Sequence, residues 1–379
     1  IIDFAPQDPD TGLLDSIDYR INVRAKDKSC VDFSLHAMIT YIMDSMFDEI
    51  KQFPEKGISN IKAFMAYNGS PLHCDDGTLV RIMEECKKVG ATVFVHAESG
   101  EIINFLRDEC VKKGQLTPHY HYVSRPPYTE AEGVHRACYL AEKTGVPLYI
   151  AHVTSREALD EIVYARGRGV NVNGETCTHY LTTTKEVLDN PDFNEAAKYV
   201  CSPALRDQED VDALWDALNK GLLTAISSDH CGIDVKELKQ AGRDNFTNIP
   251  NGSPGAGDRF AMIWTYGVEA GRISKNKFVE LISSKPAKIN GIYPRKGAIQ
   301  VGSDADIVIF NPNYEGVIRL EDNPNGVDYN VYEGRKQIGK IDMVFLRGNL
   351  AVEDGKFVGT YGMGKFIPAE MYAACYNGI

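Results

Sequence analysis

The chain has 379 residues, 43% of them hydrophobic and 25% charged, with a net charge of −12 at neutral pH. Those fractions describe an ordinary globular protein and exclude disorder, collagen-like repeats and coiled coil. The acidic balance argues against a nucleic-acid partner, and the apolar runs fall well short of the roughly 20 residues a membrane-spanning helix requires.

The chain opens Ile1-Ile2-Asp3-Phe4, without an initiator Met, and these residues read as the end of a buried strand. The expectation is therefore that an N-terminal piece precedes them. Up to about residue 290, short apolar runs alternate with longer amphipathic stretches. The runs are Ile61–Tyr67, Thr92–Val95, Pro147–Ala151, Val170–Val172 and Leu222–Ser227. Helical patterns lie between them at Gly77–Val89, Glu130–Lys143 and Glu157–Arg166. Such alternation predicts parallel βα units, as a doubly wound sheet or a (β/α)8 barrel.

The placement of polar residues favours the barrel. Lys62 lies inside its run, His96 and His152 end theirs, and Asp229 follows the last, while Glu175 and His179 come just after Val170–Val172. Ionisable residues at successive strand ends converge on one rim of a barrel, where barrel enzymes keep their chemistry. Neither glycine-rich phosphate-binding motif occurs. From about Pro294 the chain turns β-rich, with Asp354-Gly355 a hairpin signal between apolar stretches. The expected organisation is a barrel over 1–293, part of a β-sandwich over 294–360 and a tail over 361–379.

Imidazole and carboxylate suit zinc and related divalent ions. A lysine among them is repelled unless its charge is removed, and carbamylation by carbon dioxide turns it into an anionic bridging carboxylate between two metals. His119 and His121 form the only H-x-H, but they sit in a Pro-bounded segment away from any strand end, so they are not expected to be ligands. His36, His73 and His135 read as helix or loop residues, and Cys177 and Cys231 as core-filling thiols. The nine cysteines are scattered with no C-x-x-C pair, which fits reduced thiols in the cytoplasm.

The ordered blocks Ile61–Tyr67, Val95–Glu98, Tyr149–Ser155, Glu175–Tyr180, Cys201–Arg206, Ser227–Cys231, Ile249–Gly255 and Pro294–Phe310 closely resemble the dihydropyrimidinase/hydantoinase branch of the cyclic amidohydrolases. The resemblance covers nearly the whole chain. It implies a (β/α)8 TIM-type barrel with a β-sandwich formed by both chain ends, a homotetramer, and two divalent metals, usually zinc. By motif, Lys62 resembles the carbamylated bridging ligand, and His96 and His152 the ligands of the second metal. Asp229 resembles a ligand of the first metal that is also the general base. Tyr67 resembles the oxyanion-stabilising tyrosine, and Ser202 and Asn251 the positions whose backbone holds the ring's amide edge. The family's own H-x-H, on its first barrel strand, should lie before Ile1.

The implied reaction is metal-assisted hydrolysis of a dihydropyrimidine or a 5-substituted hydantoin to an N-carbamoyl amino acid. Two alternatives stand beside it. Collapsin-response-mediator-like adaptors share the fold without metal ligands, and retention of Lys62, His96, His152 and Asp229 argues against them. Allantoinase and dihydroorotase share the metal chemistry. Dihydroorotase would want a basic residue for its substrate's carboxylate, and the Tyr67 and Ile249–Gly255 blocks fit the hydantoinase side better.

Overall fold

The computed structural model describes residues 1–322 and 325–371. Among them, seven parallel strands pair in strict chain order: β1 (Ile2–Pro6), β2 (Ser34–Met38), β3 (Asn60–Phe64), β4 (Thr92–His96), β5 (Leu148–Ile150), β6 (Val172–Cys177) and β7 (Ala225–Ser227). Sequential parallel pairing with helices in the connections is the winding of a (β/α) barrel. Parallel strands covered on both faces need continuous apolar or satisfied residues. Accordingly β3 and β4 are buried along their whole length.

The helices begin and end where short-range chemistry puts them. Asp75 accepts from the Thr78 amide at 2.7 Å to cap Asp76–Val89, and Gly90, at φ 79°, closes that helix. Ser155 caps Arg156–Gly167 through the Ala158 amide, so the segment just after His152 is fixed by a helix start. The helix Pro127–Thr144 packs closely behind β4 because Gly133 has no side chain. A Cβ there would lie 2.6 Å from the Ala97 carbonyl carbon and 2.7 Å from the Glu98 amide.

A second, antiparallel sheet holds β8 (Ile307–Val317), β9 (Lys336–Leu346), β10 (Asn349–Glu353) and β11 (Lys356–Phe357). Asp354 and Gly355 turn β10 into β11 with φ 48° and 76°, the geometry their dipeptide predicts. Buried Asp32 ties this sheet to the barrel by pairing with Lys296 and Arg347 and accepting from the Lys365 amide. The stretch expected as a tail splits. Residues 365–370 run back along the barrel, bonding Phe33, Gly57 and Gly291 through their backbones, and 372–379 lie outside the described residues.

Two strand assignments differ from the sequence reading. The segment Ser34–Met38 is a barrel strand, and His36, read as a helix or loop residue, sits buried on it. Its Ser-Leu-His-Ala-Met composition hides the strand, because polar residues interrupt the apolar run. Likewise β6 extends to Cys177, so Glu175 lies within the strand instead of after it.

Candidate active site

The ends of β3 to β7 bring Lys62, His96, His152 and the Asp229 loop to one barrel mouth. Lys62 is buried, with its ammonium 5.7, 5.2 and 4.9 Å from the ring centres of Phe4, Phe64 and Phe94. Burial pulls its pKa down to about 8, against the opposing charges of Asp229 and Glu175. His96 and His152 meet edge to face, their centroids 4.5 Å apart, and Tyr67 stacks obliquely on His96 at 5.3 Å. Burial, with the neighbouring His96 and Lys62, holds the His152 imidazole well below its ordinary pKa, so it is neutral.

Three of these residues adopt backbone that side chains rarely tolerate. Tyr67, His152 and Asp229 have φ of 65°, 37° and 42°. For a tyrosine such a value is a true outlier, and positive φ is uncommon even for histidine and aspartate; strain of this kind collects where a site demands a particular side-chain direction. Each lies just past a strand end, where a left-handed residue turns the chain so that its side chain faces the mouth.

Around this group stand Glu98, which the sequence reading did not single out, His36, read there as a helix or loop residue, and Glu175 and His179, placed there near a strand end. Glu98 bonds His96 Nε2 at 2.7 Å with both side chains buried. Burial alone would raise the Glu98 pKa, but the His96 bond and the nearby Arg125 and Arg206 more than reverse this, so it stays ionised. Its signal was present as a carboxylate two residues after a candidate ligand. Glu175 receives the Tyr149 hydroxyl at 3.3 Å, and burial pushes its carboxyl up to about 7. His36 faces Lys62 from β2 between Phe4 and Phe94, and burial and the lysine's charge lower it to about 3. His179, also buried, is pulled down to about 4 by burial.

A buried ion pair fixes the loop carrying His152. Glu130 accepts from the Thr154 amide at 2.7 Å and its hydroxyl at 2.5 Å, and pairs with Arg206 at 3.2 Å. Arg206 in turn donates to Thr154 and to the Arg125 carbonyl.

Tyr67 and Ser202 line one cavity of about 250 Å³. Burial and the Glu98 charge raise the Tyr67 pKa far above its usual value, so the phenol keeps its proton. Asn251 does not line this cavity. Its loop is stitched to the Ser202 loop through Gly252 N to Val200 O at 3.0 Å and Ser253 Oγ to Lys198 O at 2.6 Å. His121 is spent on the Cys201 carbonyl at 2.7 Å and His119 on Asp189 at 2.6 Å, so neither faces the mouth. His230 accepts from the Gly255 amide at 3.3 Å.

Among the described residues no group of three or more His, Cys, Asp or Glu side chains is placed to hold a metal ion. The donors that do converge nevertheless fit a divalent ion. His152 is neutral, and its Nδ1, like Nε2 of His179, makes no hydrogen bond. Metal binding requires such deprotonated nitrogens.

A sequence model of the amidohydrolase family matches residues 40–351. The D-hydantoinase of Ralstonia pickettii is 44% identical over 372 residues, 98% of this chain and 80% of that protein. The dihydropyrimidinase of Arabidopsis thaliana is 38% identical over 353 residues, 93% of this chain and 66% of that protein. The crystal structure of dihydropyrimidinase from Brevibacillus agri NCHU1002 superposes with a TM-score of 0.95 at 39% identity, covering 98% of this chain and 80% of that one.

Proposed function

The chain belongs to the amidohydrolase family, and on that premise we propose that it opens a cyclic ureide, a dihydropyrimidine or a 5-substituted hydantoin, to an N-carbamoyl amino acid. The carrying observation is the convergence of Lys62, His96, His152 and the Asp229 loop beside the cavity of Tyr67 and Ser202. Relatives named D-hydantoinase and dihydropyrimidinase, at 44% and 38% identity, support the substrate class.

Metal dependence comes with the family. Lys62, His96, His152 and Asp229 would contribute ligands to two divalent ions, with zinc suited to the nitrogen donors, and such ions activate water and polarise a carbonyl. A pKa near 8 leaves part of Lys62 as free amine at neutral pH. Its nitrogen can then add to the carbon of CO2 and release a proton, giving an anionic carbamate.

Tyr67, protonated at working pH, donates to the ring carbonyl oxygen as it gains negative charge. Asp229 takes a proton from the attacking water and passes it to the departing ring nitrogen as the C–N bond breaks, acting as base and then acid. Backbone groups at Ser202 and Asn251 hold the amide edge of the ring. Glu98 keeps His96 in one orientation throughout.

We place the enzyme in the cytoplasm as a homotetramer. The eight described cysteines are all unpaired, as a reducing compartment requires. Tyr139 and Tyr164 on neighbouring helices are half exposed and offer apolar area to a second copy.

Incubation of the full-length protein with dihydrouracil and with hydantoin, followed by mass spectrometry of the N-carbamoyl products, tests the reading. Turnover is expected and should disappear in Asp229→Asn while the fold persists. No product from any cyclic ureide in the zinc- and bicarbonate-treated protein, or near-normal turnover by Asp229→Asn, would overturn it.

A further inference from the structure

The cavity beside Tyr67 carries more positive charge than ring binding needs. Arg125 is 8% exposed, and its guanidinium bonds only His121 Nδ1 at 3.2 Å and the Ser124 hydroxyl at 3.4 Å, both neutral groups. Among the described residues it forms no ion pair. Glu98, the carboxylate acting on it most strongly, also lines the cavity; its Oε2 is bonded to His96 and its Oε1 has no hydrogen-bond partner, so one carboxylate there stands against the guanidinium groups of Arg125 and Arg107. A buried cation without a bonded anion is costly, and a ligand anion relieves that cost.

Arg107 lines the same cavity from the helix Gly100–Lys112. Among the described residues its one ion pair, to Asp108 at 3.5 Å, joins a partly exposed group to an exposed one and holds it weakly. Asn104, one turn earlier on the helix, donates to the Asn68 carbonyl at 3.2 Å and so ties this wall to the loop after β3. The cavity thus runs from Tyr67 and Ser202, at the reacting ring, to two guanidinium groups. Its 250 Å³ suits a short substituent better than a whole ligand.

We propose that this cavity is the subsite for the ring's exocyclic substituent, and that the substituent it selects carries a carboxylate. The substrate class is then a cyclic ureide with a short carboxyalkyl side chain, whose product is the N-carbamoyl derivative of an acidic amino acid. Guanidinium matches carboxylate in planar, two-bonded geometry, which a neutral amide of the same shape cannot reproduce. This inference rests on the proposed hydrolase function and sharpens its specificity.

The test compares kcat/KM for hydantoin-5-propionate with that for its neutral amide, using the metal-loaded full-length enzyme. The acid is expected to be preferred by about tenfold or more, with the preference shrinking as salt rises. Arg107→Gln should cut the acid-to-amide ratio by about tenfold, and Arg107→Lys should keep part of it. An acid-to-amide ratio of one or less, or a ratio unmoved in Arg107→Gln, would overturn the subsite. Turnover of dihydrouracil separates the two levels. If dihydrouracil is opened and the acid is not preferred, the subsite alone fails; if no cyclic ureide is opened, the functional reading falls and the subsite with it.

Discussion

His96 and His152 stand edge to face, 4.5 Å between ring centres, although 55 residues separate them along the chain. Parallel pairing of β4 with β5, Val95 opposite Ile150, brings the two strand ends side by side. The left-handed turn at His152 then aims its ring at its neighbour. Two imidazoles held this close, with Lys62 on the adjacent strand, are the core of the proposed metal site.

Glu98 sets the orientation of His96. Replacing it with Gln should keep the hydrogen-bond shape but lose the carboxylate's charge, weakening metal affinity by about 10–100-fold. Competition against a chelator of known affinity reads this directly. Unchanged affinity would mean that His96 is held by packing alone.

Glu175 gives stability a pH dependence with a definite sign. Its carboxyl is raised from 4.5 to about 7 in the fold by burial. Below pH 4.5 both folded and unfolded forms are protonated and burial costs nothing. Between 4.5 and 7 the unfolded form ionises first, so stability falls as pH rises, and above 7 the cost is complete. Glu175→Gln should therefore gain about 1–2 kcal/mol over the parent on going from pH 5 to pH 8, the group being slightly open to solvent. Urea unfolding of the metal-free protein at both pH values measures this. An equal difference at the two pH values would show that the charge is not the cause.

Gly133 is where a helix touches the backbone carrying Glu98. An alanine there improves helix propensity by about 1 kcal/mol but forces its Cβ against fixed main chain, which typically costs about 1–3 kcal/mol. The expected net result is a lower Tm together with weaker metal binding, because the displaced backbone directly follows His96. A rise in Tm would show that the helix moves away at no cost.

The barrel and most of the site were legible because the signals were local. The run Thr92–His96 is β-branched and aromatic and ends on a candidate ligand, and the other candidates lie within or just past comparable runs. What escaped the sequence was decided by tertiary placement. The strand Ser34–Met38 carries a serine and a histidine inward, so no apolar run marks it, and His36 went with it. Arg107 lies on the helix Gly100–Lys112 and Arg125 in the bend before the helix Pro127–Thr144, and only the fold puts both on one cavity with Tyr67. The Glu130–Arg206 pair spans 76 residues and left no pattern to find.

The most direct test of the central claim is the metal content per chain of the full-length protein, purified and then exposed to zinc and bicarbonate, beside its Lys62→Ala variant. About two divalent ions per parent chain are expected, with a substantial loss in the variant. Parent protein that binds no metal, or a variant that binds as much as the parent, would contradict a centre built on Lys62, His96, His152 and Asp229.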